Sequence, residues 1–81
     1  MSEWNIDDKG QLFKQFKFKS FSEGFAFTSK VALLAEKYNH HPKIVLEYST
    51  VSIFLISHDK KQITERDTEL SNLIEDLLLV N

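Results

Sequence analysis

At Ser20 the spacing of apolar residues switches from two to between three and four, and this restricts the fold more than any other feature. Before it, Trp4 and Ile6 alternate with polar residues as a short first strand, and Asp7-Asp8-Lys9-Gly10 reads as a turn in which Gly10 can take positive φ. Gln11 to Lys19 follows as a second strand, with Leu12, Phe16 and Phe18 on one face and Phe13, Gln15 and Lys17 on the other. After the switch, Gly24, Phe27, Val31, Leu34, Ala35 and Tyr38 recur at helical spacing. Ser20 and Glu23 match a capping box that opens this helix, and it runs to about Tyr38. Asn39 ends it, because Asn tolerates the left-handed conformation.

Beyond Pro42 the period returns to two. Ile44, Leu46 and Tyr48 alternate with Val45, Glu47 and Ser49 as a third strand, and Ser49-Thr50 makes a tight reversal. Val51 to Ser57 is the fourth strand, with Val51, Ile53 and Leu55 on one face and Phe54 and Ile56 on the other. A second cap, Thr64 with Asp67, starts a final helix whose stripe is Leu70, Leu73, Ile74 and Leu77. The order β-β-α-β-β-α predicts an α+β, two-layer fold: an antiparallel four-stranded sheet with both helices packed on one face. Its 81 residues form a single domain, 1–81.

A core of this size is marginal, and with no cysteine the chain has no disulfide to staple it. Seven phenylalanines and a fourth strand apolar on both faces point to burial completed by a homodimer or homotetramer, with Leu33 a candidate contact. The beginning MSEWNIDDKG has neither the apolar core nor the basic flank of a signal peptide, and no apolar run reaches membrane-spanning length. A cytoplasmic protein without membrane contact is expected. The segment FKQFKFKSF interleaves Phe13, Phe16, Phe18 and Phe21 with Lys14, Lys17 and Lys19, a mixture able to stack and hold single-stranded RNA. It lacks the glycines of a ribonucleoprotein motif and the net charge is −2, so it reads as a core-facing strand with lysines on its wet side. No nucleic-acid partner is expected.

The chemistry lies in the histidines. His40 and His41 precede Pro42, which pushes His41 out of helical geometry, so the pair lies at the end of a helix. His58 closes the fourth strand, and a helix end and a strand end can converge on one pocket. Histidine alone has an unperturbed pKa near neutrality, so three around one substrate predict proton transfer. Zinc is disfavoured, because adjacent histidines lack the i, i+4 geometry that aims two imidazoles at one ion. Glu36, one helical turn before His40, and Asp59, next to His58, are each placed to orient an imidazole. Asp67 in the first turn of a helix stabilises that terminus in any case.

These residues resemble a known family. The stretch FKQFKFKSFSEGFAFTSKVALLAEKYNHHP, the strand ending SHD, and ITERD before a leucine-rich helix are similar to pterin-4a-carbinolamine dehydratase, also known as a dimerisation cofactor of a homeodomain transcription factor. The likeness runs from about Trp4 to Leu77. It implies a pterin substrate, 4a-hydroxytetrahydrobiopterin, dehydrated to the quinonoid dihydropterin without a metal or organic cofactor, which recycles tetrahydrobiopterin for aromatic amino acid hydroxylases. By position His40, His41 and His58 match the family's active-site histidines. The resemblance implies that His41 and His58 exchange protons while His40 stands beside the 4a-hydroxyl. Glu36, Asn39, Ser57, Asp59 and Asp67 are the implied substrate-binding residues. Asn39 stands where members typically have Asp, Ile44 where an aromatic is usual, and Gln62-Ile63-Thr64 where Gly-Leu-Ser/Thr is common; these departures bear on rate and substrate preference more than on fold. Two other readings fit the same chain: a non-catalytic module that contacts a protein partner such as a transcription factor, and an enzyme on another pterin, as in molybdopterin metabolism.

Overall fold

In the computed structural model, which describes residues 4–79, the change of period becomes two layers. The elements are β1 (Asn5–Ile6), β2 (Leu12–Lys17), α1 (Phe21–Lys37), β3 (Lys43–Leu46), β4 (Thr50–Leu55) and α2 (Glu65–Leu77). The strands form one antiparallel sheet in the order β1-β2-β4-β3. The α+β order and the single four-stranded sheet are as the apolar periods predict.

Register decides which face meets the helices. Leu12 pairs with Leu55, Lys14 with Ile53 and Phe16 with Val51, while Ile44 pairs with Ile53 from the other side. This face packs on Phe27 and Val31 of α1 and Leu70 and Ile74 of α2, so both helices close one core. Gly24 permits the close approach of α1: a Cβ there would lie 3.2 Å from Leu46 Cδ1 and 3.4 Å from Val51 Cγ2. Lys14 departs from the expected pattern, since it shares the helix-side face rather than the wet one. It snorkels past the Phe16 ring to Glu75 of α2, 2.6 Å away, and the Trp4 indole N–H donates to the same carboxylate at 3.0 Å. The opposite face carries Phe13 stacked on Phe54, with Lys43 over the Phe54 ring.

The element ends differ from the periodic reading where turns and caps override the spacing of apolar residues. β2 stops at Lys17 rather than Lys19, because Ser20 already caps α1. The Glu23 carboxylate accepts from the Lys19 N–H, one residue before the cap, instead of from Ser20. Tyr48 is exposed and outside β3, because the reversal begins earlier, with the Glu47 N–H donating to the Thr50 carbonyl. β4 ends at Leu55, and Ser57 rejoins the structure through an isolated bridge to Gln62. Tyr38 caps α1 and is about half exposed rather than part of its buried face.

Candidate active site

The end of α1 turns the histidine pair. Asn39 adopts φ 52°, and this left-handed residue lets its own N–H reach the Glu36 carbonyl and the His40 N–H reach the Ala35 carbonyl. The chain therefore reverses within two residues and drives His40 inward. Asn39→Val should lower stability by about 1–2 kcal/mol, the penalty of the left-handed region for a residue without a local polar side chain. Asn39→Gly should change it by only a few tenths. Urea unfolding of both variants is the check.

His40 is buried, and its Nε2 lies 2.5 Å from Asp67 Oδ1. Asp67 is fully buried at the third position of α2, where it completes the capping box begun by Thr64. Its Oδ2 accepts from the Thr64 N–H at 2.9 Å and from the Ser57 hydroxyl at 2.7 Å. The Ser57 proton is thereby committed, so the Thr64 hydroxyl, 2.6 Å away, must donate to Ser57. Burial pushes the Asp67 carboxyl up, but bonds from His40, the Thr64 N–H and Ser57, together with the His40 charge, outweigh it. The net result lies below the ordinary carboxylate value, so Asp67 is ionised and only accepts.

An accepting Asp67 makes His40 Nε2 a donor, and Nδ1 is the ring nitrogen with no protein partner among the described residues. No buried side-chain nitrogen or oxygen lacks a partner among the described residues, so this unbonded Nδ1 is open to solvent. His40 also lines a cavity of about 60 Å³ with Tyr38, Arg66, Glu69, Leu70 and Leu73.

The other candidates stand around this centre. His41 is exposed, and its Nε2 lies 2.7 Å from Glu36 Oε2, so Glu36 does orient an imidazole. His58 is exposed in the turn that follows Ser57. Asp59 binds Arg66 at 2.5 Å instead of orienting His58, and that hydrogen bond holds its carboxyl below the usual range. Ser57 and Asp67 are therefore brought together with His40, whereas His41 and His58 do not line its cavity. Sequence reasoning missed the Thr64 hydroxyl, whose signal was the capping box, and also missed Tyr38, Arg66 and Glu69 as cavity residues. Arg66 and Glu69 look in the sequence like solvated helix positions. Among the described residues no group of three or more His, Cys, Asp or Glu is placed to hold a metal ion, and no helix is long and apolar enough to cross a membrane.

Residues 1–77 match the family model described as pterin 4 alpha carbinolamine dehydratase. A protein of Prochlorococcus marinus strain NATL2A, provisionally named a pterin-4-alpha-carbinolamine dehydratase, is 48% identical over 75 residues, covering 93% of this chain and 78% of that protein. A Sinorhizobium medicae protein with the same provisional name is 43% identical over 72 residues, covering 88% and 69%. Among solved structures, a transcriptional coactivator/pterin dehydratase from Brucella melitensis superposes with a TM-score of 0.84 at 34% identity, over 90% of this chain and 79% of the other. A pterin dehydratase-like protein identified as a RuBisCO assembly factor in the alpha-carboxysome gives 0.79 at 27%, over 94% and 89%.

Proposed function

Because the chain belongs to the pterin 4 alpha carbinolamine dehydratase family, we propose that it removes water from a 4a-hydroxytetrahydropterin by histidine acid–base chemistry. The observation that carries this reading is the His40–Asp67 pair: a buried, ionised carboxylate fixes one imidazole with a single open nitrogen beside a cavity. In the reaction the C4a–O bond breaks and the oxygen leaves as water, taking a proton from an imidazolium. N5 gives its proton to a neutral imidazole, and the N5=C4a double bond of the quinonoid dihydropterin forms. No net proton is consumed and no electron acceptor is required. His40 stands beside the 4a-hydroxyl, while His41 and His58 carry the protons. Their exposure suits that task, because solvent resets both after each turnover. The product is the form from which tetrahydrobiopterin is recycled for aromatic amino acid hydroxylases.

The test is the dehydration of a freshly generated 4a-hydroxytetrahydropterin, followed by absorbance with and without the protein. Catalysis above the spontaneous rate is expected, and the spontaneous rate alone would overturn the proposal. A second reading, a module that acts by contacting a protein, draws support from Phe21 and Phe25, one turn apart on α1 and each at least half exposed. The RuBisCO assembly factor, a neighbour of the same fold, also favours it. An inert pocket in this assay would leave that reading as the better one.

A further inference from the structure

His40 and His58 come to the chemistry from different elements, the end of α1 and the turn after β4, and Ser57 is joined to both. It is fully buried, and every polar group it carries is bonded. The hydroxyl donates to Asp67 Oδ2 at 2.7 Å and accepts from the Thr64 hydroxyl at 2.6 Å. The other oxygen of that carboxylate meets His40 Nε2 at 2.5 Å. The Ser57 N–H donates to the Gln62 carbonyl at 3.1 Å, and its carbonyl accepts from the Lys60 and Lys61 N–H groups at 3.1 and 2.8 Å. These backbone bonds close the turn that begins with His58, and Lys61 completes it in the left-handed region at φ 56°.

We infer that Ser57 is a positioning residue: its hydroxyl aims the Asp67 carboxylate at His40, and its backbone anchors the turn that carries His58. This rests on the dehydratase reading and names what sets two of its histidines relative to each other. A carboxylate rotates about its Cβ–Cγ bond unless one oxygen is held. Here the Thr64 N–H and the Ser57 hydroxyl both hold Oδ2, which keeps Oδ1 turned to the imidazole. The donors run one way, from the Thr64 hydroxyl through Ser57 to Asp67, because an ionised carboxylate only accepts. Misplacing a reacting group by about 1 Å costs on the order of a hundredfold in rate, so a buried hydroxyl controls turnover without touching the substrate.

The experiment compares the parent protein with Ser57→Ala, Ser57→Cys and Ile74→Val. Ser57→Ala should lower kcat for dehydration about 10- to 100-fold and leave KM nearly unchanged, since a buried side chain offers the substrate no contact. A second readout needs no substrate: the exchange of the His40 Nε2 proton with solvent, followed by NMR at its imidazole resonance. Ser57→Ala should speed that exchange about tenfold or more, the scale of one hydrogen bond to a charged group. Ser57→Cys, close in size but with a weak S–H donor, should move both readouts the same way by less. Ile74→Val trims the buried core outside this network, and should lower the urea midpoint while changing neither readout. Unchanged kcat in Ser57→Ala would overturn the inference. So would exchange that is unchanged or slower, because the hydroxyl would then compete with His40 for the carboxylate instead of aiming it. A rate that simply follows the urea midpoint across the variants would reduce Ser57 to a structural residue and overturn it as well. Turnover by the parent protein is read separately and decides the dehydratase reading, while proton exchange tests the aiming of Asp67 with or without turnover.

Discussion

Asp67→Ala should destabilise the fold by about 3–5 kcal/mol, because it removes one member of a buried pair and strands the others. His40 Nε2, the Ser57 hydroxyl and the Thr64 N–H all lose their acceptor, and the side chain they bond is fully buried. For a domain of this size the loss amounts to a fall in Tm on the order of 20 °C. Asp67→Asn keeps the shape and should be milder, since its amide oxygen still accepts from Ser57 and Thr64. Its NH2 then faces His40, forces Nε2 to accept and moves the ring proton to Nδ1. The pH dependence separates charge from shape. Asp67 in the folded protein lies below its ordinary value of 3.8, so its contribution is present above that value and is lost as pH falls through the lower, folded one. Urea unfolding of the parent protein and Asp67→Asn across that window should show the gap between them closing towards low pH. A gap that stays constant would mean that the carboxylate charge contributes nothing.

The same network shows why the fold was easier to read than the site. Phe27, Val31, Leu70 and Ile74 advertise their helices by spacing alone, and the sheet must place Val51, Ile53 and Leu55 opposite them because a one-residue slip would expose all three. Ser57 carries no such signal. It lies beyond the last residue of β4, and its role arises only because the capping-box acid ten residues later turns inward rather than towards solvent. Asn39 was legible as a helix stop, but that its left-handed turn would part His40 from His41 depends on the His40 N–H reaching back to Ala35. Lys14 misled for the opposite reason: a long side chain can occupy a core-facing position when its ammonium finds a carboxylate such as that of Glu75. Tyr38 misled by position, since a helix-cap residue leaves the stripe its spacing suggests.

His41→Ala should lower kcat for dehydration by roughly a hundredfold or more, the scale of one positioned acid–base group, while leaving stability nearly unchanged. The two effects separate because the His41 side chain is more than half exposed and its partner Glu36 more exposed still. Exposure also makes the loss repairable. Free imidazole in the buffer can enter the space left by the side chain and should restore part of the turnover in proportion to its concentration. His40→Ala should behave differently. That imidazole is buried against Asp67, so its removal strands a carboxylate and couples lost activity to lost stability, and external imidazole should not rescue it. Glu36→Gln keeps a partner within reach of His41 and should lower the rate by about tenfold at most, as expected for a solvated orienting bond. Unchanged turnover in His41→Ala would remove that residue from the chemistry and leave His58 and the open nitrogen of His40 to move both protons. A hundredfold loss without rescue would instead mean that the imidazole acts by shaping the turn at Pro42, and the urea midpoint would then fall with the rate.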